Sequence, residues 1–177
     1  MEYGDHDVHR REGYADPAPY PEIRVAAPNM SYAQLLMDDY AGAVSEFTAI
    51  NQYLYHHFVT EESNKEVGKL LENVAITEMR HMEMIAGLIL LLGGNPVFRG
   101  STYLWNPRMV YYGNDFCSRL KADLDAEQKA IQNYQIHISR IDDPYIQSVL
   151  GRIILDERVH LELFKQAIEK YCQGQNR

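Results

Sequence analysis

The chain writes one construction twice. "EFTAINQYLYH" begins at Glu46 and "EQKAIQNYQIH" at Glu127, and both read E-x-x-A-I-x-x-Y-x-x-H. The matched positions are Glu46, Ala49, Ile50, Tyr53 and His56 against Glu127, Ala130, Ile131, Tyr134 and His137. Each stretch is followed by a second motif, "EMRHMEM" from Glu78 and "ERVHLEL" from Glu157, both E-x-x-H-hydrophobic-E. Glu78 follows Glu46 by 32 residues, and Glu157 follows Glu127 by 30. An internal repeat of this kind restricts the fold, because each half must pack against its own copy.

The repeat units are helical. Leu35, Leu36, Tyr40, Ala43, Phe47, Ile50, Tyr53 and Leu54 recur at helical spacing, and Ser31 is an N-cap for a helix running to about Val59. A second helix runs from about Ser63 to Leu92, stopped by Gly93-Gly94-Asn95-Pro96. A third runs from about Asn114 to Arg140. Asp142-Asp143-Pro144 opens a fourth, to about Cys172, with proline at the first helical position. No segment has a strand pattern. The link over 95–113 can span more than ~50 Å when extended, enough to travel back along a ~40 Å helix. The pattern therefore predicts an all-α four-helix bundle with a long crossover between helices 2 and 3.

Pro17, Pro19, Pro21 and Pro28 fall near the N-terminus among mixed charges and few aliphatics. Residues 1–30 read as a proline-rich arm and 31–177 as the bundle. Leu88 to Leu92 is more apolar than one bundle face requires and reads as a subunit interface, most simply of a homodimer.

Glu-x-x-His places a carboxylate and an imidazole on one face, a turn apart. Two halves packed about a pseudo-twofold axis bring four carboxylates and two imidazoles together. Without cations the carboxylates repel one another in a dry core. Two divalent metals remove the repulsion, each taking one His, one terminal Glu and a share in bridging Glu residues.

This arrangement resembles the ferritin-like superfamily, especially its rubrerythrin and bacterioferritin branches, and "TEMRHMEMI" resembles manganese catalases. The resemblance covers residues 31–172. It implies that Glu46 and Glu127 are terminal ligands, that Glu78 and Glu157 bridge the metals, and that His81 and His160 complete the two positions. There are departures. Rubrerythrins carry a second glutamate where this chain has Ala130, and a rubredoxin-type domain with paired cysteines. Cage-forming ferritins continue into a fifth helix.

Tyr53 and Tyr134 lie two turns after their glutamates on nearly the same face. They read either as core aromatics or as phenols that hydrogen-bond a ligand carboxylate. Asp156 is placed to accept from the ring N–H of His81 across the bundle, as ligating histidines require. Its first-half counterpart is Thr77. His56 and His137 turn off the ligand face and read as satisfied or exposed; Glu83 and Glu162 read as surface residues.

A net charge of −8 argues against a nucleic-acid partner. No apolar run is long enough for a membrane, the N-terminus is polar, and the expected location is the cytoplasm. Cys117 and Cys172, without a C-x-x-C, read as free and semi-buried in preference to the alternative of a structural disulfide. The expected function is a dimetal oxidoreductase, with iron or manganese, acting on H2O2 or O2. Its electrons come from an external donor or from peroxide itself. The alternatives are a metal-binding or storage protein without turnover, and a structural oligomer with a vestigial site.

Overall fold

The computed structural model describes residues 13–172. The first part of the N-terminal arm lies outside the described residues. Five α-helices follow in order: α1 (Met30–Ala41), α2 (Glu46–Thr60), α3 (Lys65–Leu91), α4 (Phe116–Arg140) and α5 (Pro144–Cys172). α1 and α2 form one long rod with a break. With α3, α4 and α5 they make the four-helix bundle, and among the described residues no strand forms. α2 packs chiefly on α3 and α4 on α5, so each repeat unit is a helical hairpin.

The caps explain the boundaries. α1 starts one residue earlier than Ser31, because the Asn29 side chain accepts from the N–H groups of Ser31 and Tyr32. Asn64 caps α3 and Asp115 caps α4. At the start of α5 the Asp143 carboxylate accepts from the N–H groups of Tyr145 and Ile146, with Pro144 in the first turn. α3 ends where Gly93 adopts φ +90° and the Gly94 N–H returns to the Ile89 carbonyl.

The first rod is not continuous, contrary to its periodicity. It breaks at residues 42–45, where Ser45 caps α2 and accepts from the Thr48 N–H. The Ser45 and Thr48 hydroxyls both donate to the Gly42 carbonyl, so a hydroxyl pair takes over a helical acceptor. A Cβ on Gly42 would collide with the Asp38 carbonyl oxygen. Glu46 thereby becomes the first residue of α2, at the positive end of the helix dipole.

The crossover lies along this break. Phe98 stacks on Phe47 at 4.4 Å, and the Trp105 indole N–H donates to Thr48. Two apolar clusters fill the bundle. One joins α1, the C-terminal halves of α3 and α4 and the N-terminal half of α5; the other joins α2, the N-terminal halves of α3 and α4 and the C-terminal half of α5. Leu88, Ile89 and Leu92 belong to this core, so only Leu90 and Leu91 of the run read as an interface face outward.

Cys117 and Cys172 are joined in a disulfide, with Cα atoms 5.8 Å apart, which corrects the expectation of free thiols. The antiparallel pairing of α4 and α5 brings the start of one beside the end of the other, a proximity that cysteine spacing alone does not reveal. No helix among the described residues is long and apolar enough to cross a membrane.

Candidate metal centre

Between the two apolar clusters the four long rods turn six polar side chains inward. Glu46, Glu78, His81, Glu127, Glu157 and His160 are each at most 3% exposed. They fall into two groups that could each hold an ion: Glu46, Glu78, His81 and Glu157; and Glu78, Glu127, Glu157 and His160. Glu78 and Glu157 belong to both.

The two imidazoles lie 6.0 Å apart, and each turns Nδ1 toward the carboxylates. His81 Nδ1 lies 2.7 Å from Glu78 Oε2, 3.3 Å from Glu157 Oε1 and 3.7 Å from Glu46 Oε2. His160 Nδ1 lies 2.9 Å from Glu78 Oε1, 3.0 Å from Glu157 Oε2 and 3.7 Å from Glu127 Oε2. Glu78 and Glu157 thus offer one oxygen to each side, while Glu46 and Glu127 each serve one side.

The outward nitrogens have partners that can only accept. His81 Nε2 donates to Asp156 Oδ2 at 2.9 Å, and His160 Nε2 donates to the Tyr14 carbonyl at 2.9 Å. A proton is therefore fixed on each Nε2, and Nδ1 is the nitrogen left to serve the centre. The tyrosines cross between halves: Tyr53 donates to Glu127 Oε1 at 2.5 Å, and Tyr134 donates to Glu46 Oε1.

Charge in the metal-free centre is balanced by protons. Burial, reinforced by the charges of Glu78 and Glu157, lifts Glu46 and Glu127 well above the usual carboxylate range. Burial opposes the charged forms of Glu78 and of both imidazoles. The attraction between them prevails, holding Glu78 well below its ordinary range and His81 and His160 well above theirs. Asp156 is likewise pushed up by burial, but its bond with His81 and the other bonds it accepts bring it down to about 2.

The donor set suits a pair of metal ions. Four carboxylates and two imidazole nitrogens are the hard and borderline donors that iron and manganese accept. Glu78 Oε1 is buried, makes no hydrogen bond among the described residues and has the His160 imidazole as its ionic neighbour at 2.9 Å. A cation between the carboxylates would complete that oxygen's partners.

A cavity of about 260 Å³ reaches the centre between α2 and α4, touching Glu46, Glu78, Glu127 and Glu157. Tyr53 and Tyr134 wall it, and Ala130 lines it where rubrerythrins place a further glutamate. Among the described residues, His56, His57 and His137 lie outside the cluster. His56 is buried between Asp123 and the Tyr111 carbonyl, and His137 Nδ1 meets Asp39 at 2.6 Å. Glu83 and Glu162 are exposed. Sequence reasoning missed Tyr14, Asp16, Tyr20 and Arg152, which bind the arm to the outer face of the histidines. A proline-rich segment gives no periodicity from which to foresee that.

Comparison with known proteins bears on the family to which this fold belongs. The Clostridium acetobutylicum protein named "Probable manganese catalase" is 25% identical, over 84% of this chain and 75% of its own length. A bacterioferritin of Streptomyces coelicolor is 28% identical, over 71% of this chain and 74% of its own. The structure of KatB, a manganese catalase from Anabaena, superposes with a TM-score of 0.83 at 25% identity, covering 91% of this chain and 81% of that one. The sequence pattern of the ferritin-like domain matches residues 43–172, the span that supplies every carboxylate and imidazole of the cluster, and the chain belongs to that family.

Proposed function

We propose that the chain is a dimetal carboxylate oxidoreductase that disproportionates H2O2. One observation carries the reading: Glu78 and Glu157 each offer one oxygen beside each imidazole. In this reading Glu46, Glu78, His81 and Glu157 hold one ion and Glu78, Glu127, Glu157 and His160 the other. When bound, a manganese or iron pair supplies the two-electron change that peroxide or O2 chemistry needs. Similarity to two manganese catalases supports peroxide as substrate and manganese as metal.

The protein's own groups define what reaches the pair. The cavity, walled by two phenols, has room for peroxide beside the carboxylates. Glu46 and Glu127 border the cavity, each on one side of the centre, so that whatever enters meets them beside the pair. Tyr53 and Tyr134 orient those carboxylates, and Asp156 orients His81. A cytoplasmic homo-oligomer is part of the same proposal, with Leu90 and Leu91 as the apolar residues available to a second copy.

Oxygen evolution from H2O2 without added reductant tests it. Metallated protein should release one O2 for every two H2O2 consumed. Peroxide loss only in the presence of an electron donor supports a peroxidase instead. Binding of metal with no turnover of either kind supports the storage reading, to which the bacterioferritin relative points.

A further inference from the structure

The repeat fails at one place in the centre, and the N-terminal arm fills the gap. By symmetry the residue before each E-x-x-H glutamate should meet the opposite histidine. Asp156 does so for His81 at 2.9 Å. Its counterpart Thr77 instead donates to the Asn73 carbonyl at 3.2 Å and approaches the Tyr14 carbonyl at 3.4 Å. His160 Nε2 therefore donates to the backbone carbonyl of Tyr14, in the arm.

The same segment also holds Asp156. The Asp16 N–H donates to Asp156 Oδ1 at 2.7 Å, and the Tyr20 hydroxyl donates to Oδ2 at 2.6 Å. Arg152 pairs with Asp156 Oδ1 at 2.7 Å while donating to the Ala18 and Asp16 carbonyls. Its guanidinium lies 4.1 Å from the centre of the Tyr20 ring. Residues 14–20 thus run across the outer face of both imidazoles, touching His160 directly and His81 through Asp156.

The two imidazoles consequently have unlike supports: a carboxylate behind His81 and a neutral carbonyl behind His160. A carboxylate partner pushes more electron density onto the ring than a neutral carbonyl and strengthens the opposite nitrogen as a ligand; loss of an outer partner altogether costs roughly 10–100-fold in metal affinity, which bounds the difference. We propose that the arm makes the two metal positions unequal, the His81 position tight and the His160 position weaker and dependent on the Tyr14 carbonyl. This rests on the dimetal reading above. Tyr14 acts as a positioning residue through its main chain. The weak position is the one that fills last and empties first.

Calorimetric titration of the metal-free full chain with Mn2+ tests the inference without reference to turnover. Two steps are expected, the first tighter by no more than the roughly 10–100-fold that loss of a histidine's outer partner costs. Asp156→Asn should weaken the first step and draw the two together. Tyr14→Gly releases the side chain that seats the arm on the α3–α5 cluster, leaves the Asp156 contacts in place, and should weaken the second step alone. Thr77→Asp gives His160 the support that His81 has and should tighten the second step. Where Tyr14→Gly loses helical signal, Thr77→Asp decides. Two equal sites in the parent overturn this inference while leaving the dimetal reading intact, as does an unchanged second step in Thr77→Asp or in folded Tyr14→Gly. Binding of fewer than two Mn2+ by the parent overturns both.

Discussion

The Tyr53 hydroxyl donates to Glu127 Oε1 at 2.5 Å, joining the tyrosine of one repeat to the glutamate of the other. Tyr134 and Glu46 make the reciprocal bond. Glu46 and Glu127 are thereby each aimed by the opposite half, so neither hairpin positions its own glutamate alone. Burial, with the neighbouring charge of Glu127, lifts the Tyr53 phenol well above its ordinary range and keeps it a donor.

Tyr53→Phe should remove that donor and leave Glu127 Oε1 buried with one bond fewer, a cost of about 1–3 kcal/mol. The thermal midpoint of the metal-free protein should fall, and Mn2+ retention should fall with it. Tyr134→Phe should behave alike because the halves are equivalent here. A pair of variants with parental melting and metal content contradicts the positioning role.

The pH dependence of the metal-free protein has a definite sign. Glu46 and Glu127 are raised from 4.5, and His81 and His160 from 6.5, so the folded chain holds more protons than the unfolded one. Their stabilising contribution is full below the unfolded values and is lost as pH rises through the folded ones. Glu78 runs the other way, contributing above 4.5 and losing that contribution on acidification. From about pH 6 to about pH 9 the imidazoles dominate, and the metal-free melting temperature should decline. Metal binding must expel the same protons, so the upward shift produced by Mn2+ should grow over that interval. Differential scanning calorimetry at the two pH values checks both slopes; a metal-free midpoint that rises contradicts the assignment of protons to the centre.

The disulfide closes a loop of 55 residues through α4 and α5. Constraint of the unfolded chain by such a loop is worth about 4 kcal/mol. Cys172→Ser should lower the melting temperature by an amount of that order and leave the metal content unchanged, since the bond lies at the end of the bundle. Loss of metal in this variant contradicts the separation of staple from centre.

The four rods, the crossover and the inward residues were legible because they repeat at helical period and recur in both halves. Three features were not. The break before Glu46 depends on Gly42, Ser45 and Thr48 exchanging hydrogen bonds locally, while the apolar positions on either side keep their period. The Cys117–Cys172 bond depends on which helix ends meet. The arm's grip on His160 uses a main-chain carbonyl, a group every residue carries and no side-chain pattern announces. Asp156 was readable from its place beside Glu157; Arg152, one turn earlier, carries a charge whose partners in the arm only the tertiary structure supplies.

Shared and unshared carboxylates should respond differently to removal. Glu78→Ala or Glu157→Ala takes an oxygen from beside both imidazoles and should deplete both metal positions. Glu46→Ala should deplete chiefly the His81 position, and Glu127→Ala chiefly the His160 position. Titration of each variant with Mn2+ separates the two patterns; loss of a single ion in all four contradicts the bridging arrangement.

Elemental analysis of the parent and of the His81→Ala/His160→Ala double variant, each loaded with Mn2+ and freed of excess, bears most directly on the centre itself. The parent should retain about two ions per chain, matching the two groups of ligands. The double variant should keep its helices, lose nearly all metal and lose the metal-dependent rise in melting temperature. Equal metal content and an equal melting shift in parent and double variant would mean that these histidines are not ligands, and the dimetal centre would be wrong.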